Sequence, residues 1–299
     1  MILFLIVIAI LAAPFIIEWR RIPMDAQARA DAPGEFASLS NGITHYQFHG
    51  PVDGPLVVCV HGLTTPSFVY EGLATRLVER GHRVLVYDHY GRGYSDRPKG
   101  DQDRAFFVSH LEELLEHLNI DTPFDLVGYS MGGWVVTAYA AIHPKMIKRL
   151  FLLAPAGMGH ELGWTAKLVR DVPIIGDWVF MATYANQHRR GCEVERALDT
   201  TVPFVVDRQQ KELQYRGFIP SVLASLRGAL ANDTKADHQR IAYHDLDVHA
   251  IWGADDVVIP LFAKDQLEVW NPKVRHHVIE GAGHGVTYTH TDAMMAAFD

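Results

Sequence analysis

Cysteine is scarce in this 299-residue chain: Cys59 and Cys192 are the two, and neither has a C-x-x-C partner. A disulfide framework and a thiol-based zinc or redox motif are thereby excluded. Cys59, inside the apolar run "LVVCVHG", reads as a small core side chain, while Cys192 stands in a charged stretch. Basic runs are missing as well. No stretch of Lys or Arg exceeds a pair, and the formal net charge is −8, which argues against a phosphate-backbone partner and so against nucleic acid. Internal repeats and low-complexity tracts are absent. With 48% hydrophobic and 21% charged residues, what remains is an ordinary globular make-up with enough chain for a large core.

One long uncharged run is present. "MILFLIVIAILAAPFII" carries no charge from Met1 to Ile17 and is followed by "EWRR". As a helix it rises about 26 Å, close to the hydrocarbon thickness of a bilayer. Nothing basic precedes it, unlike a secretory signal, and Arg20 and Arg21 follow it. The reading is a membrane anchor over residues 1–21, with Trp19 at the interface and the body of the protein on the cytoplasmic side. Export after signal cleavage is the alternative, and a buried N-terminal helix is the third.

After a polar linker around "MDAQARADAPGEF", short apolar runs begin: "ITHYQFHG", "PLVVCVHG", "RVLVYDHYG", "FDLVGYS" and "IKRLFLLAPAG". Runs of four to six apolar residues without alternation describe strands buried on both faces of a mostly parallel sheet. Helical patterns lie between them. "FVYEGLATRLVERGH" aligns Val69, Leu73 and Leu77 and ends at Gly81, while "AFFVSHLEELLEHLNI" aligns Phe107, Leu111, Leu114, Leu115 and Leu118. The alternation predicts a doubly wound α/β fold. From 155 to 242 the strands stop and helices take over, in "TAKLVRDVPIIGDWVFMATYANQHRR" and "IPSVLASLRGALAND"; the rhythm resumes with "DVHAIWGADD", "PLFAKDQLEVW", "VRHHVIEGAGH" and "HTDAMMAAF". The division is therefore a core over 36–154, a helical cap over 155–242 above the C-terminal strand edges, and a second core segment over 243–299.

The chemistry centres on "DLVGYSMGGWVV". Gly128-Tyr129-Ser130-Met131-Gly132 fits G-x-S-x-G between an apolar strand and a helical pattern, the context in which a strained turn exposes a serine oxygen. A serine hydroxyl needs a base, and the base a carboxylate. Of 17 histidines, His284 lies in a Gly-rich loop after the last predicted strand, whereas His276 and His277 lie within that strand. For the acid, "WGADDVVIP" offers both Asp255 and Asp256, and alternation alone leaves the two open.

In order along the chain, "HG", "YDHYGRGYSDRP", "GYSMGG", "WGADD" and "GAGH" resemble the motifs of the α/β-hydrolase family, from about Phe36 to Phe298. The resemblance implies an α/β-hydrolase fold with a helical lid, and a Ser-Asp-His order in which the W-G-x-x-D-x-x-x-P pattern selects Asp256. It implies an oxyanion hole from the backbone N–H groups of Met131 and Leu63, with His61 organising its loop, and no cofactor or metal. Asp237 and His238 are an isolated pair without ligand spacing. Ser130 at the elbow implies acyl transfer: a carboxylesterase or a monoacylglycerol-type lipase acting on a small-molecule or lipid ester. The alternatives are a lactonase, thioesterase or carbon–carbon bond hydrolase of the same fold, and a non-catalytic ligand-binding member.

Overall fold

The computed structural model describes residues 1–159 and 164–299; the part of the 155–242 insertion over 160–163 lies outside them. The chain opens with α1 (Ile2–Trp19), a helix long and apolar enough to cross a membrane by length and composition. Eight strands then form one sheet: β1 (Glu35–Leu39), β2 (Gly42–His49), β3 (Leu56–Val60), β4 (Arg83–Tyr87), β5 (Phe124–Tyr129), β6 (Ile147–Leu153), β7 (Asp247–Gly253) and β8 (Arg275–Ile279). Their spatial order is β1-β2-β4-β3-β5-β6-β7-β8. β2 pairs antiparallel with β1 and β4, and every later pairing is parallel. The run at 24–36, read as a linker, ends in β1. This edge strand is short and mostly exposed, so it lacks the buried apolar run that marks a central strand.

Successive strand residues point to opposite faces, and the core divides accordingly. Val58, Val60, Leu85, Leu126, Leu150 and Trp252 pack towards α3 (Arg104–His117), α4 (Met131–Ile142) and α10 (Phe262–Trp270). Val57, Cys59, Val84, Val127, Phe151 and Ile251 pack on the other face, with α2 (Glu71–Glu79), α11 (Val286–Thr289) and α12 (Thr291–Met294). Each such fully buried aliphatic side chain contributes on the order of 2 kcal/mol. The uninterrupted apolar strands thus follow from burial on both sides.

Between β6 and β7 lie α5 (Trp164–Asp171), α6 (Ile175–Glu193), α7 (Val205–Lys211), α8 (Phe218–Arg227) and α9 (Lys235–Tyr243). Phe180, Leu213, Phe218, Ile219 and Val222 form a separate apolar cluster joining α6 to α8. The pattern read through residues 165–190 is split between α5 and α6 around Pro173, where the ring cannot donate to the helix ladder. α9 lies against α4 and α10 beside the sheet, so the last segment of the insertion packs with the core.

Candidate active site

The parallel strands deliver their following loops to one edge of the sheet. Ser130 follows β5, Asp256 follows β7, His284 follows β8, and His61-Gly62-Leu63 follows β3. Ser130 has φ 54° and ψ −117°, a conformation that a non-glycine residue adopts only when its surroundings hold it there. Those surroundings are tight. Its N–H donates 2.9 Å to Leu153 O, and its own carbonyl accepts from Gly133 and Ala156 at 2.9 and 3.0 Å. A Cβ on Gly132 would lie 1.9 Å from Val60 O, and one on Gly128 would lie 2.5 Å from Gly132 O. Both glycines of the motif are required by close backbone approach.

Ser130 Oγ lies 3.0 Å from His284 Nε2, and His284 Nδ1 lies 2.8 Å from Asp256 Oδ2. The other carboxylate oxygen of Asp256 accepts from the N–H groups of Val258 and Ile259, each at 2.8 Å. These two bonds lock the carboxylate in place. Asp255 is exposed, and its backbone N–H donates to Ala282 O at 2.9 Å. The structure therefore brings Asp256 to His284 and turns Asp255 towards solvent. His276 and His277 are engaged elsewhere: His276 Nδ1 accepts from Trp252 Nε1 at 3.0 Å, and His277 lies 3.2 Å from His249.

Met131 opens α4, so its N–H is among the first four helix donors that have no intrahelical acceptor. Leu63 lines the same cavity as Ser130 and His284. The Leu63 N–H shares a peptide plane with the Gly62 carbonyl, which lies 2.8 Å from His61 Nδ1. His61 Nε2 accepts from the His89 N–H at 2.8 Å, which leaves the proton on Nδ1 to donate to Gly62 O. Burial lowers the His61 pKa to about 4, so the neutral tautomer persists at neutral pH. The organising role read for His61 has this geometry as its basis.

Three contributions escape motif reading. Arg92, fully buried, donates to Leu63 O, Tyr90 O, Gln102 Oε1, Ser221 O and Ser225 Oγ at 2.7 to 3.3 Å, tying the Leu63 loop to α8. Burial brings its pKa down to about 9, still protonated at neutral pH. Tyr129 donates its hydroxyl to His284 O at 3.0 Å, fixing the loop that carries the histidine. Cap residues His188, Cys192 and Gln209 line the cavity over Ser130, whose volume is about 300 Å³. The sequence signal for Arg92 was its place inside "YDHYGRGYS"; for the cap residues there was none, because their approach depends on how α6 and α7 fold back. Among the described residues no group of three or more His, Cys, Asp or Glu could hold a metal.

Similarity to known proteins agrees with this architecture. A 2-hydroxymuconate semialdehyde hydrolase of Pseudomonas putida is 30% identical over 219 residues, covering 70% of this chain and 73% of that protein. An esterase from Exiguobacterium antarcticum superposes with a TM-score of 0.73 at 21% identity, covering 89% of this chain and all (100%) of that one. The enol-lactonase of Burkholderia xenovorans LB400 gives a TM-score of 0.71 at 21% identity, over 88% of this chain and 98% of that one. These two structural likenesses bear on the fold alone. The family model of the alpha/beta hydrolase fold matches residues 55–291, and with that the chain belongs to the α/β-hydrolase family of enzymes.

Proposed function

We propose that this protein is a serine hydrolase that cleaves carboxylic esters through an acyl-enzyme. The observation that carries the reading is the unbroken line from Ser130 Oγ through His284 to a buried carboxylate, with steps of 3.0 and 2.8 Å. Ser130 attacks the ester carbonyl carbon while His284 Nε2 takes its proton. Asp256 holds the imidazole by Nδ1 and stabilises its cationic form. The N–H groups of Leu63 and Met131 receive the oxyanion. His284 then gives the proton to the departing alkoxide, and a water molecule repeats the sequence to release the acid and restore Ser130.

The substrate class is a lipophilic ester, of monoacylglycerol type, reached at a membrane through α1. The apolar helix at the N-terminus and the cavity over Ser130 support that choice, and Arg20 and Arg21 after the helix favour the cytoplasmic side for the hydrolase body. The test is hydrolysis of p-nitrophenyl esters and 1-monoacylglycerols of increasing chain length, with Ser130→Ala as control. Serine-dependent turnover peaking at medium or long chains is the expected result; a folded wild type that turns over no ester would remove the assignment. A second reading is the carbon–carbon bond hydrolysis given above as an alternative for this fold, tested with 2-hydroxymuconate semialdehyde, the substrate in the name of a similar hydrolase. Turnover of such a substrate without ester hydrolysis would favour it.

A further inference from the structure

The helix α1 is exposed on every side from Met1 to Leu11; beyond that Pro14 and Glu18 are buried on one face, while Phe15, Ile16, Ile17 and Trp19 stay exposed on the other. Ile10, Pro14 and Glu18 lie four residues apart along one helix face. That face is docked on the cap. Pro14 has no N–H to offer the Ile10 carbonyl four residues earlier, and the indole Nε1–H of Trp178 on α6 supplies a donor instead, at 3.3 Å. One Glu18 oxygen accepts from Gly217 N–H at 2.6 Å, and the other meets Arg21 at 2.7 Å. Beyond the helix, Ile22 bridges Tyr215, and the Arg216 guanidinium lies 5.6 Å from the Trp19 ring.

This docking conflicts with a span. A helix crossing the bilayer over Ile2–Trp19 would put Ile10 near the midplane and carry Trp178 with it. The residue before Trp178 is Asp177, ion-paired with Arg227, and charged groups at that depth are strongly disfavoured. The stretch exposed on every side, Ile2–Leu11, is by contrast about 15 Å long, half of a hydrocarbon core of about 30 Å, with the docked face beginning at its far end. It matches one leaflet.

The cap offers a second apolar element on the same side. Ile174 has φ 68° and ψ −62°, with Ile175 N–H donating 2.8 Å to Pro173 O across it. This is a strained three-residue turn for a β-branched side chain, and it leaves Ile174 79% and Ile175 58% exposed. Along α6, His188 lies beside Phe218, next to the Glu18 contact, and Trp178 lies at Ile10. The two helices thus run in the same direction, and Ile174 and Ile175 stand beyond Trp178, where the fully exposed stretch of α1 leaves the cap.

We propose that α1 is a one-leaflet wedge: Ile2–Leu11 enters the near leaflet of a lipid bilayer together with Ile174 and Ile175, and the cap rests on the headgroups. Trp19, Arg20 and Arg21 then remain at the aqueous boundary, and the cap over Ser130 is held against the surface from which a lipid ester would come. The inference rests on the membrane reading of α1 made above.

The experiment uses the full chain bound to vesicles of phosphatidylcholine and phosphatidylglycerol. Wild type is expected to float with the vesicles; failure to float overturns the wedge and the membrane reading together. In Ile2→Cys, a membrane-impermeant maleimide trapped in the lumen is expected to leave the new thiol unlabelled, since Cys59 and Cys192 are buried and the helix end stays inside the near leaflet. Labelling from the lumen would show a span, overturning the wedge while leaving the anchor in place. In Ile174→Cys bearing a nitroxide, vesicle binding is expected to lower accessibility to an aqueous relaxant at least several-fold. Unchanged accessibility would remove the cap from the bilayer surface and overturn the proposal.

Discussion

Asp256–His284 and Asp88–His45 are built alike and end differently. In both, an aspartate just past a strand end meets a histidine Nδ1, at 2.8 Å in the first and 2.7 Å in the second, and a second carboxylate oxygen accepts backbone N–H. The difference lies at the far ring nitrogen. His284 Nε2 faces the Ser130 hydroxyl and its side chain keeps 19% exposure, opening on the cavity. His45 Nε2 is closed off by the Pro33 carbonyl, and its side chain is 1% exposed. A carbonyl cannot give up a proton, so the second pair is a clamp between β2 and the loop after β4. The lesson is that an Asp–His pair acquires chemistry from its third partner and its access to substrate. Its own geometry does not distinguish base from bolt.

The electrostatics of the clamp fit that role. Burial alone would lower the His45 pKa, but the Asp88 carboxylate and the Pro33 carbonyl outweigh it and raise it above the ordinary value. Asp88 resists burial in the opposite sense, its carboxyl held far below the ordinary value by His45, His61 and the Ser67 N–H. Nearby Glu212 is pushed up to about 7, with burial the main cause and the Arg97 guanidinium opposing it. A smaller cavity of about 110 Å³ lies here, lined by His45, Asp88 and Glu212, but no hydroxyl nucleophile is bonded to the ring.

Breaking each pair should separate the two roles. The largest effect is expected at Ser130→Ala, a loss of about 10⁶-fold in kcat with an unchanged unfolding midpoint, read by ester turnover and thermal melting. Asp256→Asn should cost about 10⁴-fold in kcat through the wrong imidazole tautomer, with the cavity and fold intact. Asp255→Asn should stay within about twofold, and the reverse ranking would mean that the exposed aspartate serves the base. Asp88→Asn should do the converse: about 3 kcal/mol lost in urea unfolding, because a buried partner is left uncompensated, with kcat of the folded fraction changed by less than about tenfold.

The broadest effect is a pH dependence. His61, His110 and His238 are buried neutral, with pKa values lowered by burial to about 4, 3 and 3. The unfolded chain binds protons at these sites below about 6.5, so stability should fall as pH drops from 6.5 towards 4, by up to about 1.4 kcal/mol per unit for each group. His45 works in the opposite sense: its contribution is fully present below pH 6.5 and lost as pH rises through its raised folded value. Urea midpoints measured from pH 4 to 8 should therefore decline on the acid side, and Asp88→Asn should remove the stabilisation by His45 that is otherwise lost as pH rises.

Legibility differed by region for a physical reason. The central strands were readable because burial on two faces demands uninterrupted apolar runs, as in Leu56–Val60 and Phe124–Tyr129. β1 was not, since a half-exposed edge strand carries no such demand. The elbow was readable because its glycines answer to backbone approach, a constraint written into residue identity at Gly128 and Gly132. Alternation left Asp255 and Asp256 open, and only the resemblance selected Asp256, because which neighbour turns inward depends on the loop after β7.

By itself the sequence determined the α/β alternation and the chemical types gathered along the chain, since these depend on local periodicity and on steric needs within a few residues. The resemblance already implied Asp256 as the acid, and only the tertiary structure decided that its carboxylate meets His284 at 2.8 Å and that Arg92 joins the Leu63 loop to α8. It also decided that His45 is closed by a carbonyl, and that Pro14 leaves a carbonyl for Trp178 to take. Each of these joins groups distant along the chain, and a hydrogen bond of about 3 Å acts only once folding has brought both ends together.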